Sequence, residues 1–210
     1  MNRTTTFRTA LALILLCGTQ WRAAGRTIVL DASDWDQAAF IMENEPLSSW
    51  GSINHFHMTP RQALLVRYSL DQIPSGMHIT NAEWIVPIYD GIDVRFYIWR
   101  ILQDWGPGVC WQYRAMLPEK AAWAEPGARA LGTDRFVSPT ASCRAQGTDR
   151  SNYGSDAGLV VNVTKDVALW YTGAAGNYGW IITAEDHISL HSPFGRGTDM
   201  WKLRITFEPE

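Results

Sequence analysis

The sequence predicts an all-β fold, an antiparallel sandwich or barrel, on three observations. Apolar residues recur with a period of two in many short runs, polar turn residues separate those runs, and helical periodicity is nearly absent. A strand turns alternate side chains to opposite faces, so this pattern marks strands with one buried face.

Taken in chain order, short candidate strands come first, at 27–31, 38–42 and 53–58. Within 62–70, Leu64, Val66, Tyr68 and Leu70 form one face, and Ala63, Leu65, Arg67 and Ser69 form the other. Trp84, Val86 and Ile88 alternate next, then Val94, Phe96 and Ile98. Asp90-Gly91 has the chemistry of a two-residue hairpin turn. A three-residue loop over 90–92 matches burial better if these two strands pair, because it sets Val86 opposite Phe96 and Trp84 opposite Ile98. The stretch 103–156 is rich in Gly, Pro, Trp and Arg without sustained alternation, and reads as a long irregular loop. Further short strands are expected at 158–163, 180–183 and 187–191, and the last run puts Trp201, Leu203, Ile205 and Phe207 on one face. One helix is expected at 164–171. Thr164 would cap it, Asp166 suits the positive end of its dipole, Val163, Val167 and Trp170 face inward, and Gly173 ends it.

The first 25 or so residues read as a secretory signal peptide. Arg3 and Arg8 give a positive start, 9–17 is an apolar run, and Ala23 and Gly25 are small residues at a cleavage spacing. The run falls short of the roughly 20 residues that span a bilayer. Competing readings are a buried helix of the domain, and a lipid anchor at Cys17, which Leu16 disfavours because a small residue should precede the modified cysteine. Cleavage would leave 26–210 as a single domain with no second membrane-spanning stretch. Three arginines precede the cut, so the net charge would fall from −3 to about −6. An acidic domain disfavours nucleic acid as a general partner.

Cys110 and Cys143 would survive cleavage, and in an oxidising compartment an isolated pair is expected to form a disulfide. It would close a loop of about 33 residues and contribute roughly 3–4 kcal/mol. Neither cysteine has a close Cys or His neighbour in the spacing zinc sites use.

Eleven tryptophans in 210 residues is a high count, and sugar sites stack pyranose rings on aromatic faces. Trp84, Trp180 and Trp201 are in phase with apolar neighbours, and Trp170 is inward on the helix, so these four are expected in the core. The sharper binding candidates are Arg95, Tyr97 and Trp99, which alternate away from Val94, Phe96 and Ile98, together with Arg67 on its own strand. Guanidiniums beside aromatic rings can pair with a sugar carboxylate and stack on its ring. Tyr113 and Arg114 are loop additions. The opposing expectation is that this face is a second buried one, covered by loops.

Catalytic and metal signatures are thin. No His-Glu-x-x-His, Gly-x-Ser-x-Gly or nucleotide-binding loop occurs, and Glu43 and Glu45 carry no geometric sign of a glycosidase pair. His55, His57, His187 and His191 read as strand-surface residues. Asp31, Asp34 and Asp36 could offer oxygens to calcium but lack the twelve-residue loop pattern, so no cofactor is expected. Asn162-Val163-Thr164 is a glycosylation sequon.

Several motifs, in order, resemble one family. Ala63–Ser69, Ile73-Pro74-Ser75-Gly76 and Ile79-Thr80-Asn81-Ala82 are similar to the signature of DNRLRE-type domains, a group that includes carbohydrate-binding module family 96. Trp105-Gly106, Cys110-Trp111-Gln112-Tyr113-Arg114, and Trp123 through Pro126-Gly127-Ala128 resemble its following segments. Asp166-Val167, Trp170, Gly173 and Asn177-Tyr178-Gly179-Trp180 resemble its helix and next strand, so the likeness covers roughly 27–208. Cys110 and Cys143 depart from the pattern. The resemblance implies a jelly-roll-like β-sandwich with a secreted, non-catalytic role, and some members bind acidic polysaccharides such as alginate. It also implies that Trp105, Trp111 and Trp123 pack a loop. The leading expectation is a secreted carbohydrate-binding module for an acidic polysaccharide. A structural or adhesive surface module that binds protein is second, and a polysaccharide lyase or hydrolase third.

Overall fold

Strands with one apolar face must bury it against a second layer. In the computed structural model, which describes residues 25–31, 35–50, 55–86, 88–90, 94–145, 159–191 and 201–210, that layer is another antiparallel sheet. The strands run β1 (Arg26–Leu30), β2 (Trp35–Met42), β3 (Glu45–Trp50), β4 (His55–Met58), β5 (Gln62–Tyr68), β6 (Met77–Val86), β7 (Ile88–Asp90) and β8 (Val94–Arg100). They continue with β9 (Tyr113–Ala115), β10 (Ala121–Ala122), β11 (Ala141–Ala145) and β12 (Leu159–Asn162), then helix α1 (Thr164–Tyr171). The last are β13 (Trp180–Ala184), β14 (Ile188–His191) and β15 (Lys202–Pro209). A four-stranded sheet, β1-β15-β6-β12, faces a six-stranded one, β11-β8-β13-β5-β2-β3. A three-stranded sheet β4-β14-β7 and the ribbon β10-β9 complete the described strands.

The inner core lies between the two large sheets. Trp84, Leu203 and Ile205 come from one, and Leu64, Val66, Tyr68, Phe96, Ile98 and Trp180 from the other. Trp84 stacks on Trp180 at 4.9 Å and meets Trp201 edge-on at 5.3 Å, while Trp170 of α1 reaches Trp180 at 4.5 Å. Tyr68 takes care of the polar atoms here: its hydroxyl accepts from Trp84 Nε1 at 3.1 Å and donates to the Trp201 carbonyl at 3.2 Å. Buried aromatic side chains of this size contribute roughly 1.5–3 kcal/mol each, and their N–H and O–H groups must be satisfied. All four tryptophans expected in the core are there.

The outer face of the six-stranded sheet is also buried, over part of its width. Ala39, Ile41, Ala63, Leu65 and Ile181 pack against Trp105, Val109, Trp111 and Trp123 of the long loop. The loop therefore forms a third layer over the sheet. The carboxylate of Asp134, 0% exposed, organises it by accepting the main-chain N–H groups of Ala124, Glu125 and Ala130 and the side-chain amide of Gln103. Trp105 Nε1 donates to the Tyr178 carbonyl at 2.8 Å, and Trp123 Nε1 to the Cys110 carbonyl at 3.0 Å.

Two expectations are corrected. β6 and β8 do not pair: β6 lies between β15 and β12, and β8 between β11 and β13, so the chain crosses from one sheet to the other between them. Residues 91 and 92 of the expected turn lie outside the described residues. Thr164 does not cap α1; the N-cap is Val163, with no side-chain cap bond. The Thr164 hydroxyl instead accepts the Ala82 N–H at 2.8 Å, satisfying β6 where its pairing with β12 ends at Glu83. Asp166 does lie in the first turn of α1, as expected, and its carboxylate has further partners. It is buried, accepts from Trp180 Nε1 at 2.9 Å and from the Thr140 hydroxyl, and faces Arg100 Nε at 3.5 Å. The expected signal segment lies outside the described residues apart from Gly25.

Gly173 ends α1 as expected, with φ +71° and open space around a would-be Cβ. Gly179 has nearly the same dihedral, φ +74°, but a Cβ there would sit 2.1 Å from the Val66 carbonyl oxygen. Gly173→Ala should therefore cost only the left-handed strain, about 1 kcal/mol. Gly179→Ala adds a backbone collision and should cost more than about 3 kcal/mol. Urea midpoints of the two variants measure the difference, and equal losses would contradict the packing of residue 179 against β5.

Candidate functional site

The candidate site follows from where the loop layer stops. On β8, Val94, Phe96 and Ile98 enter the inner core, which forces Arg95, Tyr97 and Trp99 to the outer face. The loop layer covers β2, β5 and the start of β13 but thins toward β8. Arg95 is exposed, and Tyr97 and Trp99 are half-buried. Cross-strand register places Tyr97 between Thr183 of β13 and Ser142 of β11, with Arg144 beside Arg95.

The two rings are held rather than loose. Their centroids are 5.8 Å apart at 44°. Trp99 Nε1 donates to Thr183 Oγ1 at 3.0 Å, and the Tyr97 hydroxyl donates to Glu185. Above Trp99 lies Arg135, its guanidinium 4.2 Å from the ring centroid. Its own backbone is fixed by a bridge to Ile101 and by its position next to Asp134. Burial lowers the Arg135 pKa from its ordinary value, and Arg129 adds to that, against the opposing pull of Glu125 and Asp134. The group remains a cation at physiological pH. Among the described residues no carboxylate lies within ion-pair distance of it. A guanidinium stacked on indole keeps its N–H edge free for a planar anion.

The six residues expected to bind ligand do not form one site. Arg95, Tyr97 and Trp99 come together. Arg67 sits four residues farther along β5 than the level of Tyr97 and two strands across, roughly 13 Å by 10 Å. Its side chain is only 13% exposed, pairs with Asp104 at 2.8 Å, and lies over Trp105 at 5.6 Å. Arg114 joins that second cluster through the Asp104 carbonyl, and Tyr113 carries Lys120 over its ring at 5.5 Å. The Arg67–Asp104 pair ties the loop layer to β5, and Arg114 braces Asp104 from within the layer. Arg135 went unnoticed in the sequence, because its partner Trp99 is far away in the chain and only the loop path joins them.

Cys110 and Cys143 are free thiols, which corrects the expected disulfide. Cys143 stands opposite Phe96 on β11 and packs on the inner core. Cys110 is buried in the loop layer on the other side, where its Sγ accepts the Tyr113 N–H at 3.3 Å. The six-stranded sheet separates them. Burial raises the Cys143 thiol to about 11.

Among the described residues no three His, Cys, Asp or Glu side chains could hold a metal together, and no helix is long and apolar enough to cross a membrane. Asp34 and the side chains of Asp36, His55, His57 and His191 lie outside the described residues, so the calcium and histidine readings fall there. His187 is exposed, and Glu43 pairs with Arg61 at 3.3 Å. A scan against protein-family models finds none that matches the chain, and a search of curated proteins finds no similar sequence.

Thiol titration checks the cysteine assignment. A Cys17→Ser variant, denatured without reductant, should yield two thiols; none would restore the disulfide. In the native protein Cys143 should react slowly at pH 8, its rate rising about tenfold per pH unit toward 10 as the thiolate forms.

Proposed function

We propose that this chain is an exported, non-catalytic carbohydrate-binding protein whose outer sheet face takes an acidic polysaccharide. The observation that carries the reading is the Arg135 guanidinium stacked on Trp99 beside the half-exposed Tyr97. A uronate ring offers a face for Tyr97 and a carboxylate for the guanidinium edge, a pairing that a neutral sugar lacks. Arg95 and Arg144, side by side on β8 and β11, add positive charge to this face, with Glu185 bonded to the Tyr97 hydroxyl and Glu125 acting on Arg135. This local basic face stands out because the chain as a whole carries a net −3. The resemblance to DNRLRE-type domains, the jelly-roll-like topology it implies, and the signal-like N-terminus support the same reading.

A second reading, an adhesive module for a protein partner, draws on the exposed Leu131 and Val137 flanking Arg135 in the chain. Affinity electrophoresis separates the two. A polyuronate in the gel should retard the protein and a neutral glucan should not, with retardation weakening as salt rises. Arg135→Gln and Tyr97→Ala should each weaken it at least about tenfold. Arg114→Gln should leave it unchanged, since Arg114 only fastens the loop layer. Absence of retardation by any acidic polysaccharide would remove the carbohydrate reading.

A further inference from the structure

The segment 134–145 runs back along β8 on the side away from β13. The Leu102 N–H donates to the Asp134 carbonyl, the Phe136 N–H to the Arg100 carbonyl and the Thr140 N–H to the Ile98 carbonyl. β11 then pairs with β8 from Ala141 to Ala145. One stretch of chain therefore brings two guanidiniums to different levels of the same outer face. Arg135, bridged to Ile101, lays its guanidinium on the Trp99 ring at 4.2 Å. Arg144 stands opposite Arg95.

Arg95 and Trp99 are four residues apart on β8, which is about 13 Å. Midway between them lies Tyr97, with the exposed Ser142 beside it on β11. The face thus carries a row: a pair of guanidiniums, a phenol ring next to a hydroxyl, then a guanidinium on an indole. Its acid lies to the β13 side, where the Glu185 N–H bonds the Arg95 carbonyl and the Glu185 carboxylate accepts the Tyr97 hydroxyl. Among the described residues no carboxylate lies within ion-pair distance of Arg95. Like charges opposite each other on paired strands repel, and an anion shared by Arg95 and Arg144 relieves that.

We infer that this row is a two-ended site for a run of three or four consecutive uronate residues laid along β8, one carboxylate at Arg135 and another at Arg95 and Arg144. The inference rests on the outer-face reading above and adds to it a length and a second anion position. A linked pyranose advances ~5 Å, the spacing of neighbouring strands, so three or four units span the row and one or two do not. The middle ring meets Tyr97, whose hydroxyl is committed to Glu185, and its own hydroxyls meet Ser142. A dimer takes the Arg135 end, where cation and aromatic rings coincide. In a longer oligomer the second contact becomes intramolecular, which raises affinity without any new kind of contact.

Calorimetry of the full chain with galacturonate oligomers of one to six residues tests this. The tetramer should bind at least about tenfold more tightly than the dimer, and each residue beyond the fourth should add less than about threefold. The double variant Arg95→Gln, Arg144→Gln, at exposed positions, should weaken the tetramer at least about tenfold and the dimer less than about threefold. Should that variant misfold, Arg144→Gln alone carries the same comparison. Three results overturn the two-ended row: a dimer as tight as the tetramer, an even gain with every added residue, or equal weakening of dimer and tetramer in the variant. The outer-face reading survives each of them, and it also survives, without the row, if a polyuronate retards the protein while no oligomer binds. No oligomer binding and no retardation removes both, as does tighter binding of a thymidine hexanucleotide than of the galacturonate hexamer.

Discussion

The carboxylate of Asp134 is fully buried and accepts four hydrogen bonds, three from main-chain N–H groups and one from Gln103. An ionised carboxylate is a stronger acceptor than a neutral group, and here it replaces the sheet or helix that a long segment would otherwise need to satisfy its backbone. The neighbouring contacts tie the same knot to the sandwich: Leu102 N–H donates to the Asp134 carbonyl, and Phe136 N–H to the Arg100 carbonyl. Arg135 lies between these anchors and is thereby set on Trp99. The candidate site is thus a by-product of how the loop is fastened.

That fastening answers a requirement of the sheet beneath. Ala63, Leu65, Ile181, Ala39 and Ile41 turn apolar side chains away from the inner core, and water on that face would forfeit their burial. The tryptophans of the loop cover it, each with its indole N–H spent on a carbonyl where one is within reach. Asp166 plays the matching role at the far end of the loop, joining Thr140, Trp180 and Arg100 from three different elements. Two buried carboxylates therefore bracket the third layer. Where its cover ends, at β8 and β11, aromatic rings and guanidiniums reach the surface.

The period-two alternation made the inner faces of β5, β6, β8 and β15 legible, because burial on one side leaves its mark at every second residue. The apolar Ala63 and Leu65 on the supposedly outer side of β5 were a readable sign of a second buried face. Pairing was less legible. A sandwich chain crosses between sheets as readily as it folds back, so adjacency of β6 and β8 in sequence says little about their partners. Thr164 and Asp166 carry the residue types of a helix start; tertiary contacts redirected Thr164, while Asp166 keeps its first-turn place and takes further partners. The cysteine separation depends on which side of a sheet each falls, and the irregular loop around Cys110 has no period from which to read a side. The Arg135–Trp99 stack is a contact between loop and strand, and composition alone could not find it.

Indole hydrogen exchange in an Asp134→Ala variant tests the central claim, that one carboxylate holds the loop layer independently of the inner core. Trp105, whose N–H reaches from that layer to the Tyr178 carbonyl ahead of β13, and Trp123, whose N–H bonds the Cys110 carbonyl within it, should exchange at least about tenfold faster than in the parent chain. Trp84 and Trp180 of the inner core should keep their protection. Equal acceleration at all four would show one cooperative unit, and no acceleration at Trp105 and Trp123 would show that the layer does not rest on Asp134; either result contradicts the account.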